Sequence, residues 1–312
     1  LMFYKINTMK YQENYSNVSL PLPPFKIDIV YTWAGENYNK SDERLSYNNE
    51  LKYSLRSVMK YAPWVNKIYI LMNPPKKKPS WFNKNYKKKI VLIDHNDTFN
   101  NKKYLPSTNS NSIETTLVNI KGLSEHFIYF NDDFYLGKYI SYLDFFNADG
   151  SKVIVDEKIV SNCSTMIKNN QDNLKIKLPS YCGISQHIPF GLKKSIIREF
   201  QNKYSDYIHF VQNIKSRTGT GMEDCYKNGL KKWCQQQHGP IAKFALDNNY
   251  AISYRYPKKD IKYISYLFDK NLYGLSYIYK NRPKFFCIND VKIDNEDIRE
   301  KYYKKVNSFL NK

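Results

Sequence analysis

Glycine is scarce in this chain, with 11 among 312 residues. None falls into the G-x-G-x-x-G or G-x-x-x-x-G-K-[S/T] spacing that lets a backbone wrap a pyrophosphate. A dinucleotide fingerprint and a P-loop are thereby excluded. Cysteine is equally sparse: Cys163, Cys182, Cys225, Cys234 and Cys287 are odd in number and widely spaced, with no CxxC pair. Zinc-finger and thioredoxin-like chemistry drop out, and buried thiols in a reducing compartment become the expectation, with a Cys182–Cys225 or Cys225–Cys234 bridge left open. No apolar run approaches the roughly 20 residues that cross a bilayer, and no leading segment reads as a signal peptide. Acidic residues are outnumbered, 29 against 49 basic, for a formal charge of +20. Most of that excess is lysine, a point charge suited to diffuse attraction; arginine, the bidentate phosphate clamp, is rare. Such a surface fits nucleic acid, an anionic membrane or an anionic substrate. The basic residues are spread along the chain, which argues against nucleic acid as the partner.

What is present is an α/β pattern. Residues 1–24 read as a polar N-terminal extension ending in the stiff Pro21-Leu-Pro-Pro24. Phe25 to Trp33, Lys67 to Met72, Lys89 to Asp94 and His126 to Phe130 are strand runs rich in β-branched and aromatic residues. Asn48 to Tyr61 has helical spacing through Leu51, Leu55 and Val58. This alternation predicts a Rossmann-like, mostly parallel central sheet, of the kind called glycosyltransferase-A-like, with a helical elaboration. The expected division is one catalytic α/β domain over 25–290, a helical insertion at about 190–245, and a C-terminal helix over 291–312. Within it, helices are expected at 110–118, 191–212 and 222–236, and short strands at 152–155, 250–256, 277–279 and 284–288.

The strongest chemical signal is Asn131-Asp-Asp133, where an apolar strand meets two adjacent carboxylates. A hydrophobic strand has little use for two acids unless a cation meets them. Open α/β sheets bind ligands outside the carboxyl ends of their strands. The pair resembles the metal-binding DxD of nucleotide-sugar enzymes, which predicts Mg2+ or Mn2+ on Asp132 and Asp133; a plain Asx-turn is the competing reading. Alternation would send the two acids to opposite faces unless the chain turns there. Asn289-Asp290, after a second apolar run, is a further candidate ligand pair. His187, just before Ile188-Pro189, is the histidine placed to act as acid, base or nucleophile. Arg217, Arg44 and Arg56 are candidate phosphate clamps. Asp28, inside a strand run, needs a partner. Lys103 to Glu114 is a polar approach to a helix, with Ser110 or Asn111 placed as cap, Glu114 in the first turn, and Asn109 and Asn111 in excess of what a cap requires.

Together these residues resemble the Stealth family of sugar-phosphate transferases, which includes bacterial capsular polysaccharide phosphotransferases. The resemblance rests on Ile27-Asp-Ile-Val-Tyr-Thr-Trp33, on Glu50 to Ser57, Tyr61-Ala-Pro-Trp-Val65, Leu105 to Glu114 and Asn131-Asp-Asp-Phe134, on His187-Ile-Pro189 with Arg217 downstream, and on Cys287-Ile-Asn-Asp290. One departure stands after the first block, where Ala34 directly precedes Gly35 and the family pattern carries an extra polar residue. The resemblance implies transfer of a sugar 1-phosphate from a nucleotide diphosphate sugar, commonly a uridine one, to a glycan hydroxyl. It implies that Asp132 and Asp133 serve the metal and diphosphate, that His187 and Arg217 are the essential His and Arg, and that Asp28, Arg44, Arg56, Asn109, Asn111 and Glu114 line the pocket. A capsular, lipid-linked acceptor and a cytoplasmic location with peripheral contact at the inner face of the plasma membrane follow as expectations. A metal-dependent glycosyltransferase is the alternative enzyme, and a non-enzymatic polyanion binder the alternative of another class.

Overall fold

The computed structural model describes residues 8–13, 16–36, 49–82, 89–156, 188–215, 239–265 and 273–289, with 301, 304–306 and 308 near the C-terminus. Among the described residues the N-terminal extension carries an antiparallel hairpin, β1 (Thr8–Glu13) and β2 (Ser16–Pro21). The central sheet follows: β3 (Ile27–Trp33), β4 (Ile68–Met72), β5 (Ile90–Asp94) and β6 (His126–Asn131), all mutually parallel where they pair. Strands covered on both faces read as unbroken apolar runs, while an edge strand alternates. Accordingly β3 and β4 are buried almost throughout, and β5 at the edge exposes Val91. Between β3 and β4 runs α1 (Glu50–Tyr61), which buries Leu51, Leu55 and Val58 at helical spacing.

Strand order is β5-β4-β3-β6-β9, with β9 (Phe190–Lys193) antiparallel to β6. From β3 the chain passes through α1 to β4 and β5 on one side, then returns to β6 on the other. The topological switch therefore lies between β3 and β6, where Thr32 faces Asn131 in register. Ligand crevices form at such points because connections leave in opposite directions and open the carboxyl edge.

After β6 the chain turns through Asp132 and Asp133 into β7 (Phe134–Leu136), which belongs to a different sheet. That sheet has the order β11-β12-β7, with β11 (Ile261–Ser265) parallel and β7 antiparallel to β12 (Phe285–Asn289). A third sheet pairs β8 (Val153–Asp156) with β10 (Ala251–Tyr254). Lys284 Nζ meets Asp144 Oδ1 at 2.6 Å and Lys138 Nζ meets Asp260 Oδ1 at 2.8 Å, joining loops around the second sheet.

Two helical expectations and one strand expectation change. The helix expected at 110–118 is only α2 (Ser110–Glu114), followed by a 3-10 turn at Leu117–Asn119. The hydroxyls of Thr115 and Thr116 donate to the carbonyls of Ser112 (2.7 Å) and Ile113 (2.8 Å), competing with the backbone bonds that would extend it. The single helix expected at 191–212 is strand β9 followed by α3 (Lys194–Lys203) and α4 (Ser205–Asn213), broken at Tyr204 with φ −124° and ψ 44°. The strand expected at 277–279 is inside a helix, α6 (Tyr273–Asn281), after α5 (Gly239–Asp247); Leu275 and Ile278 bury at a spacing of three, and tertiary packing overrides the strand preference of tyrosine. The helix expected at 222–236 lies outside the described residues. The described residues of 301–308 are helical, as expected of the C-terminal segment.

His95, at the carboxyl end of β5, is 1% exposed and packs 5.7 Å from the Phe99 ring. Burial pulls its imidazole down to about 4 from an ordinary 6.5. The folded protein holds this ring neutral while the unfolded chain binds a proton below 6.5. Its contribution is thus complete above that value and is lost as pH falls toward 4, on the order of 3 kcal/mol over the window. Urea unfolding of the wild type and His95→Leu at a series of pH values should show a smaller acid-side loss in the variant.

Candidate active site

The acid turn sits at the switch point, and three elements hold it. From α1, Ser54 and Ser57 lie on the same face as Leu55 and Val58, and both are fully buried. The Ser54 hydroxyl donates to the carbonyl of Phe134, so Tyr31 on β3 must be the donor in its 2.7 Å contact with Ser54 Oγ. Ser57 Oγ accepts from Leu136 N at 3.0 Å and donates to Ser54 O at 2.7 Å. From β12, Ile288 N donates to Asp133 O at 3.1 Å, and the Cys287 thiol donates to Asp133 Oδ2 at 3.1 Å. From the central sheet, Thr32 donates to the Tyr129 hydroxyl at 2.7 Å, and Tyr129 donates to Asn131 Oδ1 at 2.8 Å. The last chain fixes the Asn131 carboxamide beside the acids, since the phenol can give only one proton.

Asp132 and Asp133 are half-buried, and Glu50, the first residue of α1, is buried beside them. Burial comes first among the causes that hold the Asp132 carboxyl well above the usual carboxylate range; the charges of Asp133 and Glu50 follow. Negative charge of this density with hard oxygen donors suits a divalent cation of the magnesium class, which would favour the ionised form. Among the described residues, however, no three His, Cys, Asp or Glu side chains close on one point as a metal cluster. Glu50 was not singled out from the sequence. Its signal was an acid in the first turn of a helix that follows a central strand, a position easily read as a helix-dipole effect.

The remaining expected residues divide three ways. Asn289 is the last residue of β12, and its neighbours Cys287 and Ile288 bond Asp133, so the second apolar run does fold back onto the acid turn. Asp28 does not join this group. It lies near the opposite end of β3, with no exposure, and its carboxylate accepts from Asn66 Nδ2 (2.7 Å), Lys67 N (3.0 Å) and Ser124 N (2.7 Å). These bonds tie together the segments leading into β4 and β6. Arg56 is half-buried on α1 and stacks over Tyr53, 5.6 Å from the ring centre, about 200° around the helix from Ser54.

The helix approach forms a separate polar cluster. Asn109, not Ser110 or Asn111, caps α2: its Oδ1 accepts from Asn111 N at 3.1 Å, and its Nδ2 donates to Ile214 O at 2.8 Å. Asn111 and Glu114 are buried, and the charge of Glu114 acts on Tyr207 of α4. Thr108 N also donates to Lys215 O at 2.8 Å. The α2 approach is therefore bonded to the chain that leads to Arg217. His187, Arg217, Arg44 and Asp290 lie outside the described residues. His126 is a packing residue: it stacks 4.1 Å from Phe25, and its Nε2 donates to Gly150 O at 2.7 Å. Gly150 has φ 73°, and a Cβ there would come within 2.5 Å of the Phe25 ring.

The profile of a family described as Stealth protein CR2, conserved region 2, matches residues 44–154, which include α1 and the acid turn. Among similar chains, a capsular polysaccharide phosphotransferase of Actinobacillus suis is 30% identical over 91% of this chain and 82% of its own length. The capsular polysaccharide phosphotransferase cps12A of Actinobacillus pleuropneumoniae is 31% identical over 85% and 76%. The capsular polysaccharide phosphotransferase LcbA of Neisseria meningitidis is 29% identical over 87% and 79%.

Two outcomes test this geometry. Between the ordinary carboxylate range and its raised value, Asp132 binds more proton in the folded protein than in the unfolded chain, so stability of metal-free protein should fall as pH rises through that window. Asp132→Asn should remove this fall and melt higher at neutral pH, as read by scanning calorimetry across pH. Ser57→Ala strips the acceptor from the buried Leu136 amide and should cost about 1–3 kcal/mol in urea unfolding.

Proposed function

Since this chain belongs to the Stealth family of capsular polysaccharide phosphotransferases, we propose that the acid turn between β3 and β6 is where it handles the diphosphate of a nucleotide diphosphate sugar. The enzyme transfers a sugar-phosphate group. The observation that carries the site reading is the concentration of Asp132, Asp133 and Glu50 at the topological switch point, with Asp132 held above the usual carboxylate range by its surroundings. The sheet order β5-β4-β3-β6, with its carboxyl-edge crevice, supports a glycosyltransferase-A-like frame for this use.

In the reaction we propose, an acceptor glycan hydroxyl attacks the sugar-bearing phosphorus of the donor. The bridging phosphorus–oxygen bond breaks, nucleoside monophosphate leaves, and a phosphodiester joins sugar to glycan. Phosphoryl transfer of this kind depends on in-line positioning and on neutralising charge. Asp132 and Asp133, with Asn289 and Asp290 as further candidates, would hold Mg2+ or Mn2+. Such an ion would neutralise the diphosphate oxygens. Asn131, with its amide fixed through Tyr129 and Thr32, would present its nitrogen as a donor to the same ligand. Arg217 would stabilise the transferred phosphate, and His187 would take the acceptor proton or carry the sugar phosphate covalently. The strand that follows His187 starts at the right edge for this: Phe190 pairs with Tyr129, two residues before Asn131 on β6. The +20 charge fits an anionic, lipid-linked capsular acceptor and peripheral contact with the cytoplasmic face of a membrane. Among the described residues no helix is long and apolar enough to cross one.

Phosphorus NMR of the product separates the readings. A phosphodiester resonance with released nucleoside monophosphate is expected; a glycosidic product with free nucleoside diphosphate would mean an ordinary glycosyltransferase. His187→Ala should lose transfer by at least about a hundredfold, and excess chelator should abolish it. Incubation with donor alone, followed by intact-protein mass, distinguishes the two histidine roles: an added sugar phosphate marks the covalent route.

A further inference from the structure

The second sheet leaves one edge open beside the acid turn. Strand β11 pairs with β12, and no described strand pairs with its other side. Its register puts Tyr263 directly beside Cys287, and Cys287 beside Phe134. Residues paired in register project from the same face of a sheet, so Tyr263 shares its face with the thiol that bonds Asp133. One strand spacing, about 4.8 Å, separates the two backbones. Cys287 is fully buried, whereas Tyr263 is 45% exposed. The row thus runs from the acid turn out to solvent and ends on an aromatic ring. The opposite face is already covered: Phe286 stacks on Tyr135 with 5.0 Å between ring centres, and Lys262 lies 4.8 Å over the ring of Tyr277 on α6. Ring contacts carry the row on toward β10. Phe285, two residues before Cys287, meets the Tyr256 ring at 5.5 Å, and Tyr256 meets Tyr254 at 5.0 Å. Tyr254 is 46% exposed. Between the two exposed tyrosines the chain presents Arg255, Lys258 and Lys259 to solvent. The acid of this stretch, Asp260, is buried and paired with Lys138 at 2.8 Å. The exposed charge from Tyr254 to Tyr263 is therefore all positive.

We infer that this strip, from Tyr263 to Tyr254 with Arg255, Lys258 and Lys259 between them, holds the acceptor, a glycan chain that carries phosphodiesters. The inference rests on the sugar-phosphate transfer proposed above and says where the attacking chain lies. A sugar ring has an apolar C–H face and a rim of hydroxyls. Exposed tyrosine matches both, with a flat ring and a polar tip. Each transfer leaves one phosphodiester in the glycan, and with it one negative charge. An acceptor that has already been extended carries such charges at intervals, and the three cations oppose them. A sugar seated on Tyr263 stands at the outer end of the row that leads through Cys287 to Asp133, so its chain end is directed at the acid turn. An anionic bilayer would meet the same charges, but a flat surface does not follow a row that leads inward to a half-buried carboxylate.

The test is binding of the full chain to three probes: a phosphomannan oligosaccharide, whose sugars are joined by phosphodiesters, the neutral mannan oligosaccharide, and vesicles of phosphatidylglycerol. The wild type should hold the phosphomannan at least about tenfold more tightly than the mannan, and less tightly as salt rises. Tyr263→Ala should weaken it at least about fivefold, while Tyr263→Phe, which keeps the ring, should stay within about twofold. Lys258→Gln combined with Lys259→Gln should weaken it and flatten its salt dependence. Tyr254→Ala should weaken it too and decides the matter if Tyr263→Ala does not fold. With the enzyme's own extended product as acceptor, Tyr263→Ala should raise the acceptor KM and leave the donor KM in place. Phosphomannan binding unchanged in the folded variants, or vesicle binding through these residues with no phosphomannan binding, overturns the assignment. An enzyme that still makes the phosphodiester in that case leaves the transferase reading intact. A product without one removes that reading whatever the strip binds.

Discussion

The turn at Asp132 and Asp133 is the constraint on which the rest depends. There the chain must leave the central sheet and enter another within two residues, while carrying two carboxylates at the point where the sheet opens. Nothing local makes that favourable. It is held by bonds from far along the chain: the Ser54 and Ser57 hydroxyls to the backbone of Phe134 and Leu136, and the backbone of Ile288 and thiol of Cys287 to Asp133. Ser54, Ser57, Phe134, Leu136, Cys287 and Ile288 are all buried, so each would otherwise carry an unmet polar group, and together the bonds allow little freedom in where the acids point.

The same arrangement links stability to function. Charge concentrated at Glu50, Asp132 and Asp133 disfavours the folded state at neutral pH and is the kind of local penalty that catalytic sites retain. The surrounding sheet is built to bear it: buried strands on either side, a tyrosine layer through Tyr31 and Tyr129, and α1 packed across the turn. The Asp28 carboxylate contributes from the opposite end of β3, where it secures the segments entering β4 and β6 so that their carboxyl ends arrive in register. An acid inside a strand therefore has two quite different uses here, one structural and saturated with donors, the other crowded by its own kind.

Much of the frame was legible because parallel strands covered on both faces leave long apolar runs, and because Leu51, Leu55 and Val58 keep helical spacing. β7 was missed because it is three residues long and adjoins β6 with only the acids between. The helix over Tyr273–Asn281 was misread because tyrosine favours strands when considered alone. The cap at Asn109 was placed one or two residues late, since Ser110 and Asn111 are equally good capping residues by type and only the 3.1 Å bond to Asn111 N chooses among them.

By itself the sequence determined the chemical character of the protein: an α/β chain without glycine phosphate loops, two acids at the end of an apolar strand, and blocks that match a sugar-phosphate transferase family. Those are properties of residue types at short spacing, and they survive without coordinates. Only the tertiary structure decided which of the acids share one field, that Glu50 joins them and Asp28 does not, and that Cys287 and Ile288 reach Asp133 across more than 150 positions of sequence. It also decided that Tyr263 stands beside Cys287, on the face that bears on the acid turn. Those outcomes depend on strand order and register, which are set by burial of the whole sheet and leave no mark on any single stretch of chain.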